Sequence, residues 1–219
     1  APVVVPASQA PCQEQVFYAD DPDFDLRKLL PAPTNTPIDA GPFFCLGLVL
    51  ASDPEDSSLT DVTIHRLCVQ ERDELSMFLA AGRHIEVFRK KAEEAGKPLP
   101  VTINMGLDPA IYIGACFEAP TTPFGYNELG VAGALRQQPV ELVQGVAVKE
   151  KAIARAEIII EGELLPGVRV REDQHTNTGH AMPEFPGYCG EANPSLPVIK
   201  VKAVTMRNHA ILQTLVGPG

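Results

Sequence analysis

Residues 42–51 read PFFCLGLVLA and form the longest apolar run of the chain. The run has about half the length needed to cross a bilayer, and polar, turn-rich sequence follows it. A short, continuous apolar run predicts a strand buried on both faces, although periodicity alone leaves a short core helix open. The stretch TIHRLCV at 63–69 contains β-branched residues in rough alternation and predicts a second strand.

Three later stretches predict helices. Apolar residues recur at roughly helical spacing over residues 75–88. Asp108 followed by Pro109 has the form of an N-cap and a first helical position, which predicts a helix over 110–117. A third helix is predicted over 126–136.

Strand patterns dominate the second half of the chain. Helices are inserted as a group among strands that otherwise follow one another, which indicates an α+β fold rather than a repeating βαβ unit. The first 42 residues are rich in proline and predict an extended segment with a short edge strand near residues 14–18. The remaining strands are predicted at 101–104, 140–143, 156–161, 168–171 and 198–204.

Composition restricts the class of protein. The chain has 219 residues, 45% of them hydrophobic and 21% charged, as in globular proteins. A net charge of −10 argues against a nucleic-acid partner or a membrane-surface partner, because both need clustered positive charge. Five cysteines without a Cys-x-x-Cys pair favour buried, reduced thiols and a cytoplasmic location.

Several charged residues stand out, and each has a simpler structural interpretation. Arg66 interrupts an apolar strand and must reach solvent or pair with an anion, for which a structural ion pair suffices. His84 fits a surface or core histidine better than a metal ligand. Glu128 begins a small-residue helix, where a carboxylate is favourable. Glu157 and Glu161 share one face of a strand, which favours a solvent-facing stripe.

The stretch at residues 172–188 reads EDQHTNTGHAMPEFPGY and is the most unusual of the chain. It is dense in hydrogen-bonding groups and too long for a plain hairpin turn. A functional loop and a surface excursion are equally good interpretations. The sequence contains no phosphate-binding glycine loop, nucleophile elbow or His-Glu-x-x-His helix.

Taken together, several motifs resemble the UbiD family of reversible decarboxylases over residues 10–219. The loop at 172–188 looks most like that of the non-oxidative hydroxyarylic acid decarboxylases. The resemblance implies a β-rich α+β fold with a split β-barrel, like that of flavin reductases, and a few inserted helices. The motifs are APCQE at 10–14, GLDP at 106–109, Glu128 with Gly133, AEIIIEG at 156–162, and Gly187 with Tyr188.

The resemblance also implies cofactors. Members of the family bind prenylated FMN (prFMN) through a divalent metal, usually manganese, and the resemblance allows for a potassium ion as well. It assigns the metal ligands to Asp61, His84 and Glu128, with Asp61 in place of the commoner asparagine. Such hard oxygen ligands with one imidazole suit manganese or magnesium bridging a phosphate. The implied cofactor-binding residues are Thr63, Ile64, His65, Arg66, Arg83, His84 and Glu128.

A catalytic trio of Arg66, Glu172 and Glu184 is implied in the same way. In the family both acids lie in a Glu-Gly-Pro-Phe-Gly-acid run, whereas here they are twelve residues apart. We assign Glu184 as the proton donor, which requires a raised pKa from burial beside the flavin and an apolar substrate. Arg66 is expected to pair with the substrate carboxylate or with Glu172.

The implied function is that of a carboxy-lyase that reversibly decarboxylates 4-hydroxybenzoate, 3,4-dihydroxybenzoate or vanillate-type acids. The resemblance adds a flavin prenyltransferase as cofactor supplier and a homo-oligomeric full-length protein. A decarboxylase for a different aryl or acrylic acid, a non-catalytic flavin-binding or scaffold module, and a metal-dependent hydrolase remain alternatives.

Domain boundaries follow from the same resemblance. We expect residues 1–41 to form an extended, proline-rich lead-in and residues 42–219 to form the prFMN-binding central domain. Family members are considerably longer than this chain. We therefore expect a fragment that starts at a cut point, lacks both flanking domains and is inactive by itself.

Overall fold

A computed structural model of the chain describes residues 1–117, 122–123, 125–184 and 186–215. Its strands are β1 (Val3–Val4), β2 (Gln15–Tyr18), β3 (Phe43–Ser52), β4 (Thr60–Glu71), β5 (Glu74–Met77), β6 (Leu99–Met105), β7 (Glu141–Gln144), β8 (Lys151–Ile153), β9 (Ile158–Val170) and β10 (Leu196–Met206). Its helices are α1 (Leu26–Leu29), α2 (His84–Glu94), α3 (Pro109–Ala115) and α4 (Glu128–Arg136).

Six antiparallel strands close into a barrel. Their order is β10-β5-β4-β3-β6-β9, and β9 pairs back with β10 over most of the length of both strands. Strand β2 adds to β10 beside β5 and is the short strand predicted near residues 14–18. A small separate sheet has the order β1-β7-β8. The predicted β-rich α+β fold with a split barrel is therefore confirmed.

The apolar run at 42–51 forms β3, so the strand prediction is confirmed and the core helix is not observed. Strand β3 pairs with β4 on one edge and with β6 on the other. Val49 faces the barrel interior, while Leu48 and Leu50 pack against α3 and α4. Both faces are covered by apolar groups, which is why the run is continuous instead of alternating.

The single helix predicted over 75–88 is wrong in its first half. Leu75 and Met77 are fully buried in the barrel as part of β5, and α2 begins only at His84. Gly82, with a φ of +86°, lies in the turn between the two elements. Alternating strand residues followed by a helix produced a spacing that imitates one long helix.

The other two helix predictions are confirmed as α3 and α4. Asp108 caps α3, because its carboxylate accepts a hydrogen bond of 2.9 Å from the Ala110 N–H. The stretches predicted as two strands at 156–161 and 168–171 form the single strand β9, which is held between β6 and β10.

Glu161 corrects the interpretation of a solvent-facing stripe. Its side chain is fully buried, and its carboxylate accepts hydrogen bonds from the backbone N–H groups of Val146, Ala147 and Val148 at 2.9, 2.7 and 3.1 Å. Three such donors replace the water that a buried carboxylate loses. Glu161 therefore anchors the turn between β7 and β8.

The prediction of buried thiols is confirmed for three of the five cysteines. All five are free, and Cys12, Cys45 and Cys68 are buried, whereas Cys116 is exposed and Cys189 is half-buried. Among the described residues, no helix combines the length and the apolar character that a bilayer crossing requires.

Candidate metal and active site

Three acidic and imidazole side chains that are remote in sequence converge at one end of the barrel. Asp61 lies near the start of β4, His84 is the first residue of α2, and Glu128 is the first residue of α4. One ligand atom from each lies within 4.8 Å of the others, and His84 Nδ1 is 3.5 Å from Asp61 Oδ1. We call these three residues the metal-ligand group.

Burial disfavours the charged forms of the two carboxyl groups in the metal-ligand group. Asp61 and Glu128 are 5% and 2% exposed, and Glu128 Oε1 is buried without a hydrogen-bond partner. Burial raises the pKa of Glu128 to about 7, and the charge of Asp61 adds to that rise. Burial also raises the pKa of Asp61, although a hydrogen bond of 3.0 Å from Thr63 Oγ1 opposes it.

A divalent cation fits these residues. Two buried carboxylates repel each other in a medium of low dielectric constant, and a bound cation removes that cost. Carboxylate oxygens with one imidazole form a donor set that suits Mn²⁺ or Mg²⁺. The partnerless Oε1 of Glu128 supplies a free ligand atom, so the residues present fit the metal.

Arg66 pairs with an acid from the loop at 172–188. Its Nη1 lies 2.5 Å from Glu184 Oε1 and donates a hydrogen bond of 3.3 Å to the Met182 carbonyl. The side chains of Arg66 and Glu184 are 24% and 40% exposed. The sequence predicted that Arg66 either reaches solvent or pairs with an anion, and the structure shows the pair. The contact also shows that the long loop folds back over β4.

Glu172 lies at the other end of that loop and is 4% exposed. Its carboxylate accepts a hydrogen bond of 3.1 Å from the Asn193 N–H, and its own N–H donates one of 2.9 Å to the Asn193 carbonyl. Glu172, Arg66 and Glu184 all line one cavity of about 420 Å³. The three residues of the expected trio thus line the same cavity, but the acid that pairs with Arg66 is Glu184 and not the expected Glu172.

The remaining residues expected at the cofactor lie near these two groups. Ile64 and His65 line the 420 Å³ cavity, and Thr63 hydrogen-bonds to Asp61. Arg83 directly precedes α2, next to His84. Burial lowers the pKa of His65 to about 4, and the charge of Arg83 contributes less to that shift.

Sequence reasoning missed several of the residues that line the cavity, among them Asn193 and Phe78. Asn193 contacts Glu172 through its backbone, and backbone contacts leave no signature in a single sequence. Phe78 lines the cavity and is 49% exposed, but it lies within residues 75–88, where the apolar spacing predicted a helix. Phe185, in the same loop, and residues 216–219 of the expected domain lie outside the described residues.

Comparisons with known proteins agree with this fold. The UbiD family model, described as the 3-octaprenyl-4-hydroxybenzoate carboxy-lyase Rift-related domain, matches residues 3–219. The chain is 57% identical to the gallate decarboxylase of Lactiplantibacillus plantarum, and the match covers 100% of this chain and 44% of that protein.

Two solved structures extend the comparison. The apo structure of a 3,4-dihydroxybenzoic acid decarboxylase from Enterobacter cloacae is 99% identical with a TM-score of 0.95, and the match covers 100% of this chain and 45% of that one. The UbiD-class enzyme HmfF from Pelotomaculum thermopropionicum, solved in complex with prFMN, is 36% identical with a TM-score of 0.86. That match covers 99% of this chain and 47% of HmfF.

The chain spans less than half of the length of each of these relatives. The family match nevertheless extends over nearly all of the chain, and the motif resemblance noted above is confirmed. The chain belongs to the UbiD family.

Proposed function

We propose that this chain is the central domain of a longer carboxy-lyase, which reversibly decarboxylates hydroxylated aromatic acids of the 4-hydroxybenzoate, 3,4-dihydroxybenzoate or vanillate type. The names of the gallate and 3,4-dihydroxybenzoic acid decarboxylases support this substrate class. The observation that carries the proposal is the ion pair of Arg66 with Glu184, on the strand that also bears Asp61 of the metal-ligand group.

The strand β4 explains how one elongated cofactor would reach both groups. Asp61 and Arg66 are five residues apart on β4, which corresponds to about 16 Å along a strand. Asp61, His84 and Glu128 would hold a divalent ion, which we propose to be Mn²⁺, as a tether for the cofactor phosphate. The rest of the cofactor would be lined by Thr63, Ile64, His65 and Arg83. The proposal also includes a potassium ion, for which no ligand residues are assigned.

Bound prFMN would supply the electron sink that aromatic decarboxylation requires, because no side chain stabilises an aryl anion. The chain's own residues would do the rest. Arg66 would bind the substrate carboxylate, since a guanidinium offers two parallel N–H donors to it. The apolar side chains of Ile64 and Phe78 would pack against the aromatic ring.

Glu184 would deliver the proton to the ring carbon that loses carbon dioxide. In this structure the carboxylate of Glu184 is paired with the Arg66 guanidinium. Glu184 must therefore move away when a substrate carboxylate binds to Arg66. Displaced from the guanidinium, Glu184 would take a proton from solvent and pass it to the ring carbon, which restores the carboxylate. Glu172, whose Oε2 accepts a hydrogen bond from the Asn193 N–H, would be the second acid of the cavity.

The test uses the full-length protein, co-expressed with a flavin prenyltransferase and supplied with Mn²⁺. Incubation with a panel of aromatic and acrylic acids should yield decarboxylated products from the hydroxybenzoates, measured by chromatography. In the reverse direction, bicarbonate and a phenol should yield the acid. Turnover of acrylic acids alone would contradict the substrate class, and bound flavin without any turnover would make the protein a flavin-binding module.

Two further measurements address the proton donor and the domain. Glu184→Gln should abolish decarboxylation while the flavin absorption of the purified protein stays unchanged, and full activity in this variant would contradict the assignment. Residues 1–219 alone should turn over nothing, and the full-length protein should migrate as an oligomer. Equal rates of the piece and the whole protein would refute the proposal that 42–219 is a central domain completed by flanking regions.

A further inference from the structure

A buried amide side chain connects β4 with the start of the loop at 172–188. Gln70 is on β4, four residues beyond Arg66, and is 3% exposed. Its Nε2 donates hydrogen bonds to the Glu172 carbonyl at 3.0 Å and to Ser76 Oγ at 2.8 Å. Its Oε1 accepts a hydrogen bond of 2.9 Å from Gln174 Nε2. The proposed chemistry gives this side chain no role.

These three bonds connect different parts of the fold. Ser76 lies on β5, whose pairing with β4 belongs to the barrel wall, whereas Glu172 and Gln174 begin the long loop. Each polar atom of the amide has a partner, so the side chain is held in one orientation. Gln70 is therefore fixed to the barrel on one side and holds the loop on the other.

Glu172 receives its position from two directions. Asn193 binds its N–H and its carboxylate, and Gln70 binds its carbonyl. The other contact from β4 to that carbonyl is the weaker one from Cys68 Sγ, at 3.8 Å. The distance between Glu172 and the strand that carries Arg66 therefore depends chiefly on the Gln70 amide.

We propose that Gln70 is a positioning residue that fixes Glu172 in the cavity that Arg66 also lines, by holding the Glu172 carbonyl to β4. This inference rests on the proposed function only for its effect on turnover; the contact itself does not depend on the reaction. Loss of the amide leaves the Glu172 carbonyl and the Gln174 side chain without their partner inside the protein, and the start of the loop should shift.

The variant Gln70→Met tests this in the full-length protein, because methionine keeps the length of the side chain and removes its polar atoms. We expect kcat to fall about tenfold while KM changes less than about twofold, since the geometry of an existing group is altered and the contacts of the substrate are not. The matched control is Gln174→Met, which breaks the third bond of the same amide and spares the Glu172 carbonyl. It should lower kcat less than about twofold.

A double-mutant cycle separates positioning from general destabilisation. In the Glu172→Gln background, Gln70→Met should lower kcat by less than about twofold, because the group that it positions is already disabled. Fully additive losses would mean that Gln70 acts on the structure as a whole, and they would overturn the proposal.

Hydrogen–deuterium exchange gives a readout that needs no turnover. Gln70→Met should speed the exchange of the backbone amides of residues 172–177 at least about tenfold, while the amides of β6 keep their protection. Unchanged exchange at 172–177 would overturn the proposal even if the enzyme is active. If the wild-type protein decarboxylates no acid and exchange still changes, the proposed function fails and the role of Gln70 stands.

A milder variant covers the case in which Gln70→Met does not fold. Ser76→Ala removes the bond that fixes the amide to β5 and leaves Gln70 in place. It should speed exchange at residues 172–177 in the same direction by a smaller factor. No change in exchange and none in kcat for Ser76→Ala would overturn the proposal in that case.

Discussion

Glu184 Oε1 lies 2.5 Å from Nη1 of Arg66, although 118 residues separate the two side chains in the sequence. The pair forms because the loop at 172–188 folds back onto β4, where the Met182 carbonyl and Glu184 both reach the guanidinium. Under the proposed function, the substrate carboxylate would replace the Glu184 carboxylate on Arg66.

Arg66→Lys should reduce turnover of hydroxybenzoates by about a hundredfold or more in the full-length protein, because an ammonium group cannot form two parallel bonds to a carboxylate. Steady-state kinetics with a 3,4-dihydroxybenzoate substrate measure this loss. The control is Arg27→Lys, which changes a half-exposed surface pair with Asp25 and should leave kcat within about twofold. Equal effects of both substitutions would contradict the role of Arg66.

Glu128→Gln should weaken Mn²⁺ binding by at least about tenfold, because one of two ligand carboxylates is lost. Metal analysis after dialysis measures the bound ion, and Glu94→Gln, at an exposed position of α2, is the control. Unchanged metal content in Glu128→Gln would show that the metal-ligand group does not bind the ion.

The same variant should stabilise the metal-free protein at pH 8. Burial raises the pKa of Glu128 to about 7, so the folded state holds a proton between pH 4.5 and 7 that the unfolded chain has lost. Stability therefore falls as pH rises through this range, and a neutral glutamine avoids the cost. Thermal unfolding at pH 5 and pH 8, with chelator present, should show the gain at pH 8 alone. A melting temperature of Glu128→Gln below that of the wild type at pH 8 would contradict this prediction.

His65 should make stability depend on pH in the opposite direction. Burial holds its pKa at about 4, so between pH 6.5 and 4 the unfolded chain binds a proton that the folded state does not. Stability is then lost as pH falls through this range, by on the order of 2 kcal/mol. Urea unfolding at pH 7.5 and pH 5 should show a smaller loss for His65→Gln than for the wild type. His175→Gln, at a half-exposed histidine, should retain the full loss.

Glu161→Ala should destabilise the chain by about 2–4 kcal/mol, because three backbone N–H groups lose their buried acceptor. Urea unfolding measures the change. Glu163→Ala, two residues along β9 in a surface pair with Lys202, should cost less than about 1 kcal/mol. Similar costs for both would show that Glu161 is not the anchor of the turn between β7 and β8.

Local patterns predicted most of the elements. The apolar run of β3, the alternation of β10 and the Asp108–Pro109 start of α3 appear where their chemistry indicated. The error at residues 75–88 arose because Leu75 and Met77 alternate over only four residues, too few to separate a strand from a helical spacing. Glu161 was misread because a lone sequence does not show which backbone donors surround a carboxylate.

The sequence by itself determined the class of fold through apolar periodicity and helix caps, and the family through the resemblance of its motifs. These features are local, so they can be recognised in a sequence alone. Only the tertiary structure decided which charges meet. The folded chain brings Asp61, His84 and Glu128 together and places Glu184 on Arg66, and burial of Asp61 and Glu128 raises the pKa of both carboxyl groups. Proximity and desolvation arise only when the chain packs, because both depend on contacts between residues that are distant in the sequence.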